Sequence, residues 1–130
     1  MSVFSFTFGS EYHPSGLGAW QVTVDKSGML TATHRKIGEE IDFGPFHLPM
    51  DENDHIWALI LNLNITSNPP GFRMGVPDEV MYTFKLETDN HTQTAWMWAG
   101  DGRKISVVLA VVVEMDRLIE QYTAQKAHLP

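Results

Sequence analysis

Two pairs of ionisable residues have the spacing of helical neighbours and could carry acid–base or metal chemistry. Asp51 and His55 are four residues apart, and so are Asp116 and Glu120. Residues four apart share one face of a helix, where two ligands can begin a metal site or two carboxylates can exchange a proton. No further ligand follows at metal-site spacing. We therefore interpret Asp51 as a helix cap and the second pair as helix surface, and we predict no metal, no cofactor and no catalytic set.

Trp96 and Trp98 are the strongest candidates for a binding role. Because they alternate with Met97 in a predicted strand, both tryptophans project from the same face of that strand. If this face belongs to the core, the pair forms packing anchors, which is the interpretation that the size of the rings favours. If the face is exposed, the pair forms a binding hot spot beside Asp101 and Arg103.

A loop over residues 66–77 provides a second candidate contact segment. Phe72, Arg73 and Met74 stand there between prolines and glycines. Rigid turns that present an aromatic ring, a cation and a methionine suit protein recognition, and a plain surface connection is the alternative. The candidate protein-binding residues are therefore Phe72, Arg73, Met74, Trp96, Trp98, Asp101 and Arg103.

Charge and composition narrow the class of partner. The 130 residues include 9 basic and 16 acidic side chains, for a net charge of −7. An acidic chain repels phosphate groups, so we predict that it binds neither nucleic acid nor an anionic membrane surface. Cysteine is absent, which excludes disulfides, zinc–thiolate sites and a cysteine nucleophile. The sequence shows no signal peptide and no apolar run near the ~20 residues of a membrane span, and we expect a cytoplasmic protein.

The strands and helices predicted around these residues form one α+β domain over residues 1–130, with residues 123–130 as a frayed tail. Period-two alternation predicts strands at Val3–Phe8, Trp20–Val24 and Met29–Arg35, a hairpin over Val80–Trp98, and a fourth strand or an extension of the third at Glu40–Phe46. Helical spacing predicts a helix from about Asp51 to about Leu63. Residues Ile105–Gln121 are rich in β-branched residues, but their length favours one long helix over a strand and a shorter helix.

These elements give an antiparallel sheet of about five strands in the order β-β-β-α-β-β-α, with two helices packed on one face. We expect Tyr82 and Phe84 to form the floor on which Ile60 and Val112 lie.

The order of elements from Leu48 onward resembles the small emfourin-type proteins, which inhibit thermolysin-like metalloproteases. The resemblance rests on Leu48-Pro49 before a helix, a Pro/Gly-rich loop reaching Pro77-Asp78, Tyr82 in the following strand and a C-terminal helix. It implies an inhibitor-like role, and it assigns no inhibitory residue. The whole chain also resembles small bacterial α+β proteins of similar layout.

Three functions remain open at this stage. The first is a non-enzymatic module that binds another protein, such as a protease or a partner with a basic surface. The second is a small-molecule site or minor enzyme, with a pocket between sheet and helices lined by Trp20, His34, Tyr82, Trp96 and Trp98. The third is a subunit of a structural homo-oligomer that buries a sheet edge between copies.

Overall fold

Six antiparallel strands form a single open sheet. The computed structural model describes residues 2–9, 18–64 and 80–127. The strands are β1 (Val3–Gly9), β2 (Ala19–Asp25), β3 (Met29–Lys36), β4 (Glu39–His47), β5 (Met81–Glu87) and β6 (Thr92–Trp98). They lie in the order β4-β3-β2-β1-β5-β6. The α+β class is confirmed, and the count of about five strands rises to six because Glu39–His47 is a strand of its own.

Three helices accompany the sheet in the described ranges: α1 (Met50–Asn62), α2 (Ala99–Gly102) and α3 (Ser106–Thr123). The prediction of one long helix after residue 105 is confirmed. The one-turn helix α2 was not predicted, since four residues carry no periodic signal. None of these helices is long and apolar enough to cross a membrane.

One face of the sheet, here called the inner face, carries the hydrophobic core. The residues Phe4, Phe6 and Phe8 of β1 are buried there, beside Tyr82 and Phe84 of β5. The ring centroid of Phe6 lies 5.6 Å from that of Tyr82 and 5.2 Å from that of Phe84. Tyr82 is 0% exposed and Phe84 is 1% exposed, so the predicted floor is confirmed.

Both long helices cover this inner face. Ile60 of α1 and Val112 of α3 are 1% and 0% exposed in the same hydrophobic cluster. The indole Nε1–H of Trp57 donates to the carbonyl oxygen of Asp25 at 3.1 Å, and Asn53 Nδ2 donates to the carbonyl oxygen of Lys26 at 2.9 Å. These two bonds tie α1 to the turn between β2 and β3.

Helix α3 crosses the sheet diagonally. At its N-terminal end, Gly102 of α2 lies against the ring of Tyr82 on β5. At its C-terminal end, the ring of Tyr122 lies 5.4 Å from that of Phe46 on β4, at the opposite edge of the sheet. Beyond the helix, residues 124–126 are exposed and Ala127 is buried again, so the described part of the predicted frayed tail returns to the core.

The predicted cap of α1 is wrong. The N-cap residue is Pro49, which makes no side-chain capping bond. Asp51 lies within the first turn, and its Oδ1 accepts a hydrogen bond from the backbone N–H of Glu52 at 2.9 Å. The helix begins earlier than predicted because the fixed φ of Pro49 is compatible with a helix start. The carboxylate of Asp51 still lies at the positive end of the helix dipole.

Candidate functional site

The two tryptophans of β6 lie on the sheet face opposite the core, here called the outer face. Phe84 pairs with Ala95, so Ala95 shares the buried inner face. Thr83 pairs with Trp96, and Trp98 lies two residues farther along the same strand. Side chains alternate between faces, so Trp96 and Trp98 both point outward, where each is half-buried. The pair does not belong to the core on the inner face, and its role as a binding hot spot stays a prediction.

The other predicted contact residues do not gather around this pair. Arg103 is exposed, and its positive charge is close enough to Tyr82 to act on the pKa of that hydroxyl. Burial raises the pKa of Tyr82, and the positive charge of Arg103 offsets part of that rise. Asp101 is half-buried within α2. Of the predicted residues that the structure describes, Trp96 and Trp98 share the outer face, and Asp101 lies in the helix that directly follows β6.

Phe72, Arg73 and Met74 lie outside the described residues. Their predicted role as a contact segment stays a prediction.

A row of neutral polar side chains crosses the outer face and leads to the tryptophans. Thr33 of β3 pairs with Gln21 of β2, which pairs with Thr7 of β1. Thr7 pairs with Thr83 of β5, which pairs with Trp96. We call Thr33, Gln21, Thr7 and Thr83 the polar row. With neighbouring strands about 4.8 Å apart, the distance from Thr33 on β3 to Trp96 on β6 is roughly 19 Å.

A shallow depression lies beside the polar row. It has a volume of about 170 Å³, counting the open space above it, and its lining includes Thr7, Ala19, Gln21, Thr33 and Arg35. Ala19 pairs with Gly9 at the adjacent position of the sheet. Gly9 has no side chain and Ala19 has only a methyl group, so the backbone is uncovered here and forms the bottom of the depression. The longer side chains of Gln21 and Arg35 stand at its sides.

The middle of the polar row is available for hydrogen bonding. In the part of the chain that the structure describes, no side-chain hydrogen bond engages Thr7, Gln21 or Thr83. At the β3 end, Thr33 Oγ1 donates to Asp42 Oδ1 at 2.9 Å. Hydroxyl and amide groups both donate and accept, so the polar row can hold a ligand of mixed polarity.

Arg35, near the C-terminal end of β3, forms an ion pair with Glu40. Nε of Arg35 lies 3.4 Å from Oε1 of Glu40, and both side chains are about half exposed. A solvent-exposed pair of this kind contributes little to stability. Its effect on the site is that the charge of Arg35 is neutralised where it borders the depression.

The ionisable residues of the two helices form a bridge between α1 and α3. Arg117 Nη2 lies 3.1 Å from Oε1 of Glu52, and Arg117 also binds Glu114, as the three-residue spacing predicts. The hydrogen bond with Glu114 raises the pKa of Arg117. His55 faces Glu114 at 3.9 Å. These contacts connect helices, and across the described ranges no three His, Asp or Glu side chains converge as a metal site would require.

The residues proposed to line a pocket between sheet and helices are divided between the two faces. Trp20 and Tyr82 are buried on the inner face, whereas Trp96 and Trp98 point outward. The ring of Trp20 stacks on His34 at 4.2 Å with an interplanar angle of 10°. The predicted lining therefore does not enclose one cavity.

A comparison with protein-family models finds no match to this sequence, and a comparison with curated proteins finds none either. The resemblance to emfourin-type inhibitors accordingly stays a proposal.

Proposed function

We propose that this chain is a non-enzymatic binding module that holds its partner on the outer face of the sheet. The observation that carries the proposal is the polar row, which ends at Trp96 on the face opposite the helices. Half-buried tryptophans beside unengaged hydrogen-bonding groups are typical of binding surfaces, because the ring supplies apolar contact and the polar groups supply orientation.

The positions of the ionisable residues support a non-enzymatic role. Arg117 binds both Glu52 and Glu114 between α1 and α3. These groups are therefore occupied in structural contacts far from the outer face. General acid–base catalysis needs such groups within hydrogen-bond reach of a substrate.

The proposal is tested by affinity capture from extracts of the source cell with matched variants. The test variant is Trp96→Ala/Trp98→Ala on the outer face. The control is Leu61→Ala/Val113→Ala, which removes two exposed apolar side chains from the helices. We expect the wild type and the control to capture the same partner, and the tryptophan variant to lose it. Equal capture by all three proteins, or no partner for the wild type, would contradict the proposed surface.

A protein partner with a basic surface is a second candidate, and the placement of the acidic residues favours the helix side for it. Asp51, Asp54 and Glu120 are all exposed on α1 and α3. The sequence suggested that negative charge steers a protease or similar partner toward aromatic anchors, as in an inhibitor. These charges lie on the side opposite Trp96 and Trp98, so a basic partner would be steered to the helices.

This second candidate has its own test. Replacing the three carboxylates by their amides should slow association with a basic partner severalfold at low salt, and 0.5 M salt should remove the difference. Association that is unchanged at low salt would exclude the helix side as the docking surface.

A further inference from the structure

The polar row and the depression beside it fit one class of ligand, and we propose that the outer face binds a neutral oligosaccharide. The inference rests on the proposed function, since it names the ligand of the same surface. The proposal depends on Thr7, Gln21 and Thr83, which lie side by side on three neighbouring strands, with Trp96 beside Thr83 on β6.

The hydrogen-bonding chemistry points to a polyhydroxylated ligand. Sugar hydroxyls donate and accept in equal measure, and so do the hydroxyls of Thr7 and Thr83 and the amide of Gln21. These side chains make no hydrogen bond elsewhere in the described ranges, so a ligand would not have to displace a protein contact. An array of mixed donors and acceptors suits such a ligand better than it suits an anion, which needs donors alone.

The charges of the surface point to a neutral ligand. No ionisable side chain belongs to the polar row. The nearest cation at its β3 end, Arg35, is paired with Glu40, and Asp42 is engaged by Thr33. At its β5 end, Lys85 lies two residues from Thr83 on the same face and is paired with Glu87 at 2.9 Å. Since both cations near the row are paired with carboxylates, an acidic polysaccharide would find no unpaired cation among these residues, and it would meet Asp42 and the net charge of −7. Repulsion therefore disfavours uronate or sulfated chains at this surface.

The shape of the surface points to an extended chain that crosses the strands. The small side chain of Ala19 and the backbone of Gly9 lie in the row next to Gln21 and Thr7, which gives the depression its low floor. The depression lies over β1, β2 and β3, and the polar row continues from it through Thr83 to Trp96, roughly 19 Å from Thr33. A run of several sugar rings has this length, and the apolar face of a ring can stack on the indole of Trp96.

Titration of the ¹⁵N-labelled full chain with defined sugars tests the proposal. The probes are neutral hexasaccharides of α- and β-linked glucose, of β-linked xylose and of β-linked N-acetylglucosamine, with an oligogalacturonate as the charged counterpart. For a shallow open site we expect a Kd on the order of 0.1 to 1 mM for one neutral series. The amide shifts should cluster on β1, β2, β3 and β5 and around Trp96 on β6, and the oligogalacturonate should produce none.

Variants locate the site. Thr7→Val keeps the shape of the side chain and removes its hydroxyl, and Gln21→Ala removes the amide. Each should weaken binding about five- to tenfold. The matched control is Thr92→Val, which makes the same change on an exposed residue of the outer face at the far end of β6. It should bind as the wild type does.

The outcomes separate the ligand class from the proposed function. The oligosaccharide proposal is overturned if no neutral probe shifts any amide at about 10 mM. It is equally overturned if the shifts map to the helices, or if Thr7→Val and Gln21→Ala bind as tightly as Thr92→Val. If sugars fail while Trp96→Ala/Trp98→Ala still abolishes capture of a partner, the ligand class is wrong and the binding surface stands. If sugars fail and Trp96→Ala/Trp98→Ala captures the partner as the wild type does, both the oligosaccharide proposal and the proposed binding surface are wrong.

Discussion

Replacing Gly102 by alanine tests how tightly the connection after β6 is packed onto the floor of the core. A Cβ atom built at Gly102 would lie 2.8 Å from Cδ2 of Tyr82 and 3.1 Å from Sδ of Met97. The ring of Tyr82 has no room to withdraw, because it is fully buried and lies 5.6 Å from the ring of Phe6 and 5.5 Å from that of Phe8. The added methyl group must therefore displace packed side chains.

Two opposing effects set the change in the free energy of unfolding that Gly102→Ala causes. Alanine restricts the unfolded chain and favours a helix by about 0.5–1 kcal/mol relative to glycine. Overpacking of a filled core costs about 1–3 kcal/mol. The packing cost is larger here since the contact is with a buried aromatic ring, so we expect Gly102→Ala to lower the free energy of unfolding by about 1–2 kcal/mol.

Urea denaturation followed by tryptophan fluorescence and circular dichroism measures this change. With an m value of about 2 kcal/mol/M, the midpoint should fall by about 0.5–1 M. In a Tyr82→Leu background the ring is absent, so adding Gly102→Ala should cost little, and the double-mutant cycle should show coupling. An unchanged or raised midpoint in the wild-type background, or an equal loss in both backgrounds, would refute the reasoning.

Three further predictions concern charges. Burial opposes ionisation of Asp25, but hydrogen bonds from its turn outweigh it and hold its pKa below the ordinary value. Its stabilisation is therefore present above about pH 4 and lost as the pH falls through the folded-state pKa, so Asp25→Asn should flatten the acid dependence of urea midpoints. Burial raises the pKa of Tyr82, so stability should be lost as the pH rises beyond about 10, and Tyr82→Phe should shift alkaline unfolding to higher pH. Arg117→Ala removes the bridge between Glu52 and Glu114 and should lower stability by about 0.5–1 kcal/mol at low salt, less at 1 M salt. An equal loss at both salt concentrations would show that packing, not charge, holds α1 to α3.

Local periodicity was sufficient to predict most elements of the fold. The alternation of Phe4, Phe6 and Phe8 identifies a half-buried strand, and β1 forms there. The stripe in residues 105–121 predicts one helix because the segment is too long for a buried strand, and α3 runs from Ser106 to Thr123. These signals depend on neighbouring residues alone, so they are readable without knowledge of the tertiary structure.

The face assignment of β6 could not be predicted in the same way. Alternation divides the strand into two sets, Ala95 with Met97 and Trp96 with Trp98, and it does not say which set is buried. Ring size favoured the tryptophans as core residues. The cross-strand pairing of Phe84 with Ala95 decides otherwise, because partners in register share a face.

The polar row was missed because it exists only once the strands are assembled. Thr7, Gln21 and Thr83 are scattered in the sequence and become neighbours through the pairing of β1 with both β2 and β5. The second of these pairings joins segments about 75 residues apart, and hairpin signals are limited to short separations. The available signal was the repetition of Ser, Thr and Gln at the outward positions of the first three strands.

Residue-resolved oxidation of the four tryptophans, read by mass spectrometry with and without the captured partner, tests the central claim most directly. Trp20 of β2 and Trp57 of α1 are each 3% exposed in the hydrophobic core, whereas Trp96 and Trp98 are half-buried on the outer face. We predict that Trp96 and Trp98 react faster in the free protein, and that the partner protects these two alone. Reaction of Trp20 or Trp57 at an equal rate, or a partner that leaves Trp96 and Trp98 unprotected, would contradict the account.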